Sequence, residues 1–148
     1  MTDWRIEIAD REGRVLTSDL HSMLMCVPDP EQYCWFIWYL DSISEEGLWP
    51  LERLGPAGTL EEKTKTEKPG LAMSWDDLVA LSTGVVQFIS LEVEAWRSTP
   101  ESGDCAAISI EFFDSTPPVV VESNVGEFVE CLQETFDDVS VTVDPAPK

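Results

Sequence analysis

The alternation of apolar and polar residues predicts strands along much of the chain. A period of two, typical of half-buried strands, is clearest in residues 4–8, 105–113 and 139–143. Residues 33–40 are rich in aromatic and β-branched side chains, which predicts a central strand covered on both faces. The predicted strands are 4–8, 15–16, 33–40, 105–113, 119–121 and 139–143.

Three segments place apolar residues at helical spacing instead. A short helix is predicted over 17–27, ahead of two prolines. A Ser-x-x-Asp capping box opens the longest predicted helix, over 74–97, with a kink or break at 83–84 left open. An Asn-x-x-Glu signal opens a C-terminal helix over 124–138.

These elements predict a single α+β domain spanning residues 1–148. Because strands follow one another in pairs, we expect a mostly antiparallel sheet with helices packed on it, one long central helix and one C-terminal helix. A mixed-charge tract bounded by glycine and proline predicts a mobile loop at 55–72, and residues 144–148 should form a short tail.

Net charge is the feature that departs most from average. The chain has 29 acidic and 9 basic residues, for a net charge of −20, and residues 75–148 hold 15 of the acids but only 2 of the bases. Such a field repels nucleic acid and anionic membranes, so we expect neither direct nucleic-acid binding nor membrane binding. It favours steering toward a positively charged protein.

The sequence offers little catalytic or metal-binding chemistry. Its four cysteines form no C-x-x-C pair, and His21 is the single histidine, which argues against a zinc site and against a nucleophile–base pair. Paired carboxylates arise by chance in so acidic a chain. We therefore expect no catalytic residue, no metal, no cofactor and no enzymatic activity.

The expected compartment is the cytoplasm. The first residues lack the basic and apolar regions of a signal peptide. The longest apolar run, at 33–40, is far too short to span a bilayer.

Partner binding is predicted from acidic residues of the second half and from one tryptophan in a Gly-Leu-Trp-Pro segment. Aromatic anchors within a charged rim are typical of tight interfaces. The candidate partner-binding residues are Glu111, Asp114, Glu122, Glu127, Glu130, Glu134 and Trp49.

Residues 108–115 and 119–123 are strand-like, and Phe128, Val129, Leu132 and Phe136 follow with a helix-like pattern. In these residues the C-terminal stretch resembles small immunity proteins of bacterial contact-dependent and polymorphic toxin systems. The resemblance implies a compact, acidic, cytoplasmic α+β protein that binds a cognate toxin domain and blocks its active site. It transfers no functional residue.

The leading hypothesis is therefore an immunity protein that neutralises a basic toxin by stoichiometric protein–protein binding. The alternatives are a DNA-mimic or anti-defence inhibitor, a small-ligand-binding or enzymatic α+β domain, and an adaptor within a larger complex. Acids spaced like backbone phosphates would favour the DNA mimic, and turnover lost on changing one carboxylate or His21 would favour the enzyme.

Overall fold

The computed structural model describes residues 4–8, 19–43, 71–84, 87–97, 106–113, 116–136 and 139–143. The strands in these ranges are β1 (Trp4–Ile8), β2 (Cys34–Ile43), β3 (Leu71–Met73), β4 (Gln87–Trp96), β5 (Ile108–Phe113), β6 (Thr116–Ser123) and β7 (Val139–Val143). The helices are α1 (Asp19–Leu24), α2 (Trp75–Gly84) and α3 (Gly126–Thr135), with a 3₁₀ turn at Pro30–Gln32.

All seven strands form one sheet, in the order β3-β2-β4-β5-β6-β1-β7. Every neighbouring pair is antiparallel. Strands β4, β5 and β6 are consecutive in both sequence and space, as in a meander. Strand β1 lies between β6 and β7, so the sheet is completed by pairing the beginning of the chain with its C-terminal part.

The three helices pack against one face of the sheet, and the core lies between them. The sheet contributes the buried residues Ile6, Ile8, Trp35, Ile37, Leu40, Leu91, Val93, Ala95, Ile108, Ile110, Phe112, Val119 and Val121. The helices contribute Leu20, Met23, Leu24, Leu78, Leu81, Phe128, Val129 and Leu132. Because side chains alternate along a strand, the residues between these sheet positions lie on the opposite face.

The long central helix predicted over 74–97 is wrong, and with it the predicted architecture. The fold is mostly an antiparallel sheet with few, small helices. Among the described residues of 74–97, only α2 is helical. The segment then forms β4, where buried Leu91 and Val93 alternate with the less buried Glu92 and Glu94. This alternation is typical of a strand, in which every second side chain lies on the same face. In a helix, residues two apart lie on nearly opposite sides of the axis, so the two glutamates would not share a surface.

The C-terminal helix α3 begins without the predicted asparagine cap. Its N-cap is Val125, which makes no side-chain capping bond. The buried Ser123 hydroxyl instead accepts a hydrogen bond from the Val125 N–H (3.0 Å) and donates one to the Ala107 carbonyl (2.9 Å). Asn124 Oδ1 accepts a hydrogen bond from Arg97 Nη1 (3.2 Å). Asn124 is therefore engaged in a tertiary contact, and Ser123 makes the side-chain hydrogen bond at the start of the helix.

Strand β2 is irregular and is not covered equally on both faces. Its pairing with β4 shifts between Ile37 and Tyr39, so that Trp38 is the extra residue. Trp38 Nε1 is buried without a hydrogen-bond partner. The neighbouring Tyr39 is 43% exposed, whereas the sequence predicted that both faces of this segment would be covered. A bulge of this kind turns a side chain toward solvent.

A disulfide joins two of the helical segments. Cys26, which follows α1, and Cys131, in α3, are bonded with their Cα atoms 5.4 Å apart, and Cys34 is a free thiol. Their sequence positions, 105 residues apart, gave no sign of this proximity. Disulfides are typical of proteins in oxidising compartments.

Several predicted segments lie outside the described residues. Of the loop predicted at 55–72, only the last two residues are described, and they belong to β3. The tail at 144–148 also lies outside. Within the described ranges, no helix is long and apolar enough to cross a membrane.

Candidate functional site

The sheet face opposite the helices carries two rows of side chains that cross the strands. The pairing register aligns Phe36, Glu94, Ser109, Glu122, Arg5 and Thr142 in the first row. It aligns Tyr39, Glu92, Glu111, Val120, Glu7 and Ser140 in the second. We call this surface the acidic sheet face and define it by Glu7, Glu92, Glu94, Glu111 and Glu122.

Two of these glutamates oppose each other directly. Glu92 of β4 is the cross-strand partner of Glu111 of β5, and Glu94 lies two residues further along β4. Like charges placed opposite each other destabilise a sheet. The pKa of Glu92 is raised above its usual value by partial burial, by the charge of Glu111 and by the charge of Glu94. The free protein thus holds repulsive charge that a cation would relieve.

The described residues provide this face with one cationic side chain. Arg5 Nη1 lies 3.8 Å from Glu122 Oε1, and Arg5 Nε lies 4.0 Å from Glu7 Oε2. The Arg5 side chain is 49% exposed, so these pairs contribute at most about 1 kcal/mol each. Neither contact reaches the Glu92–Glu111 pair. The acidic sheet face therefore keeps most of its negative charge.

A cleft of about 290 Å³ lies beside the opposed glutamates. Tyr39, Glu92 and Glu111 line it, and Leu91 and Phe112 contribute to its wall. An exposed phenol ring next to two carboxylates offers an apolar surface and negative charge together. This combination suits the stem and head of a lysine or arginine side chain.

The predicted partner-binding residues do not form one surface. Glu111 and Glu122 are exposed on the acidic sheet face. Glu127, Glu130 and Glu134 are exposed on α3, which packs on the other face of the sheet through Phe128, Val129 and Leu132. Asp114 and Trp49 lie outside the described residues. The structure thus splits the predicted set into two groups on opposite sides of the molecule.

Other residues of the acidic sheet face were missed as binding residues. Glu7 was assigned only to a strand, and Tyr39 to a covered segment. Glu92 and Glu94 were counted among the acids of the second half but were placed on a helix. Their alternation with Leu91 and Val93 is the signal that would have put them on one sheet face.

His21 takes part in a contact between helices. Its Nδ1 lies 3.3 Å from Ser82 Oγ, and the Ser82 hydroxyl donates to the Val79 carbonyl at 2.6 Å. Because the hydroxyl proton is used there, Nδ1 donates to Ser82 Oγ. A nucleophile–base pair would need the opposite direction, in a hydroxyl open to substrate. Ser82 is buried, so its hydroxyl is not open to a substrate. The hydrogen bond instead connects α1 to α2.

No metal site stands out in the part of the chain that the structure describes. There, no group of three or more His, Cys, Asp or Glu side chains is arranged to hold a metal ion. The glutamates of the acidic sheet face are distributed over several strands. The nearest approach to a pair of metal ligands among them is the directly opposed Glu92 and Glu111.

Comparisons with protein-family models, with curated proteins and with solved structures found no match.

Proposed function

We propose that this protein is an acidic binding protein that neutralises a basic partner, a toxin domain, by equimolar protein–protein binding. In this role it acts as an immunity protein. The observation that carries the proposal is the acidic sheet face, on which five glutamates meet one arginine. The resemblance of the C-terminal stretch to immunity proteins supports the choice of partner class.

Electrostatics give the acidic sheet face its function in this proposal. The opposed Glu92 and Glu111 repel each other in the free protein, and a lysine or arginine between them would replace repulsion with attraction. A focused negative surface also raises the rate of encounter with a basic protein, by about tenfold or more at low salt. Salt should slow that encounter.

Rigidity and an aromatic anchor add to the charge. The glutamates extend from paired strands of one sheet, so binding requires little ordering of the backbone. Tyr39 is the exposed aromatic ring beside Glu92, and tyrosine is enriched among the residues that dominate binding energy. A ring flanked by carboxylates fits an interface with an apolar centre and a polar rim.

Competition explains how such binding would inhibit a toxin. A toxin that acts on nucleic acid or nucleotides needs a positive cleft for phosphate groups. The acidic sheet face would occupy the same cleft and exclude the substrate. The proposed location is the cytoplasm, and the redox state of the Cys26–Cys131 disulfide in cells tests that part separately.

The test begins with capture of the partner by the tagged protein from lysate of the native organism, followed by association kinetics with the purified partner. Two triple variants change the net charge equally: E92K/E111K/E122K on the sheet and E127K/E130K/E134K on α3. Circular dichroism and thermal unfolding first establish that both variants are folded.

We expect the sheet variant to lower the association rate constant by about tenfold or more at low salt, and the helix variant to lower it much less. The wild-type protein should also inhibit the partner's activity at equimolar ratio. If the helix variant has the larger effect, the assignment of the binding face is wrong. If no basic protein is retained in stoichiometric amount, the proposed function itself is wrong.

A further inference from the structure

A second recess lies at the sheet edge, where β3 leads into α2. Its volume is about 560 Å³. Aromatic rings dominate its lining, and two carboxylates complete it. Its lining includes Tyr33, Trp35, Phe36, Trp75, Glu31 and Asp76, and we call the recess the aromatic groove.

The rings of the groove are held in place by the fold. Trp35 is buried, and its Nε1 donates a hydrogen bond to the Pro30 carbonyl (3.0 Å). The Trp75 ring centroid lies 5.2 Å from that of Trp35, at an interplanar angle of 39°. Tyr33 meets Trp35 edge to face, with the centroids 6.1 Å apart. Trp35 and Tyr33 are buried, so the partly exposed Trp75 is the ring that a ligand would meet, and its contact with Trp35 holds it in place.

The chemistry of this lining favours a cation. Aromatic faces are electron-rich and attract guanidinium and ammonium groups. The chain already shows this preference, since Arg97 Cζ lies 5.8 Å from the Tyr33 ring centroid. Glu31 and Asp76 are exposed and add two negative charges to the lining, against the one positive charge of Arg97 beside Tyr33.

We propose that the aromatic groove receives an arginine side chain of the basic partner. A planar guanidinium stacks on aromatic rings and pairs with carboxylates at its edge, which a lysine ammonium does less well. The groove adjoins the acidic sheet face, because Phe36 lines the groove and is the cross-strand partner of Glu94. One partner surface can therefore cover both, and this inference rests on the proposed function.

The direct test uses a short peptide, acetyl-Gly-Arg-Gly-amide, with the citrulline peptide as a neutral control of nearly the same shape. The indole N–H resonances of Trp35 and Trp75 report on the rings, and Trp4 in β1 serves as a remote reference. The alkylation rate of Cys34, an exposed free thiol in the same groove, gives a second readout by site-resolved mass spectrometry.

We expect the arginine peptide to shift the Trp35 and Trp75 resonances in a saturable manner and to slow alkylation of Cys34. The citrulline peptide should do neither at the same concentration. The E31Q/D76N variant keeps the aromatic rings and should weaken arginine binding by about threefold. W75A should weaken it further, and the carboxylate variant keeps the test decisive if W75A does not fold.

Equal responses to the two peptides, or no response at Trp35 and Trp75, would overturn the inference. So would an unchanged affinity of the captured partner for E31Q/D76N and for folded W75A. The E92K/E111K/E122K variant separates the two proposals, because it leaves every groove residue in place. If this triple variant slows partner association, and the arginine peptide does not bind to the groove of the wild-type protein, the proposed function stands and only this inference fails.

Discussion

Replacing Glu92 by glutamine should stabilise the fold at neutral pH. The substitution keeps the size of the side chain and removes one charge from the direct cross-strand pair with Glu111. It also removes repulsion from Glu94 and the cost of partly burying a charge. Cross-strand pairs alter stability by about 0.2–1 kcal/mol, so we expect a gain of that size in the free energy of unfolding.

The pH dependence follows from the raised pKa of Glu92. Between its usual pKa of 4.5 and the raised value, the folded protein binds more protons than the unfolded chain, so stability falls as the pH rises. The penalty is absent below pH 4.5 and complete once the pH exceeds the raised pKa. The advantage of E92Q should therefore be present at neutral pH and vanish below pH 4.5.

Urea unfolding followed by tryptophan fluorescence, at both pH values, measures this difference. The double-mutant cycle with E111Q isolates the pair, and the double variant should gain less than the sum of the single gains, by about 0.2–1 kcal/mol. As a matched control, E127Q makes the same chemical change in the first turn of α3, where the helix dipole favours a carboxylate, and should be destabilising. If E92Q is neutral or destabilising at neutral pH, or if its gain persists in acid, the argument from like-charge repulsion is refuted.

Three further changes test the packing and connections of the fold. Reducing the Cys26–Cys131 disulfide should lower the free energy of unfolding by about 2–5 kcal/mol, because the crosslink joins positions 105 residues apart; coincident urea curves with and without dithiothreitol would contradict this. Leu81→Ala should lower the free energy of unfolding by about 2–5 kcal/mol, because Leu81 is fully buried. An unchanged melting temperature in calorimetry would show that Leu81 is not part of the core. Ser123→Ala should cost about 1–3 kcal/mol and speed hydrogen exchange at the Val125 amide, since both hydrogen bonds of the Ser123 hydroxyl are lost. Unchanged exchange would show that the start of α3 does not depend on these hydrogen bonds.

Local sequence patterns were sufficient to predict elements that bury one face and expose the other along their whole length. In β1, Ile6 and Ile8 face the core and alternate with polar neighbours, so the period of two was readable directly. In α3, Phe128, Val129 and Leu132 form a single buried stripe. The pattern failed in β4 because residues 74–97 contain both a helix and a strand, and one period was applied to both.

For the candidate site, the excess of acidic residues and their concentration in the second half of the chain are visible in the composition. The sequence pattern also placed Glu111 in a strand with buried residues, whereas the strand predicted at 119–121 ended before Glu122. Which acids lie together depends instead on strand pairing and on the packing of the helices. Pairing β1 between β6 and β7 brings Glu7 onto the face that holds Glu111, and α3 carries Glu127 to the opposite side of the sheet.

The physical reason is the range over which each interaction acts. Alternation and helical spacing record whether a residue meets core or solvent, and they extend over only a few neighbours in the chain. Strand order, cross-strand register and the Cys26–Cys131 bond depend on contacts between residues up to 105 positions apart, whose energies depend on the whole packed arrangement. The composition therefore predicts an acidic surface, and the pairing of the strands places two of its glutamates, Glu92 and Glu111, directly opposite each other.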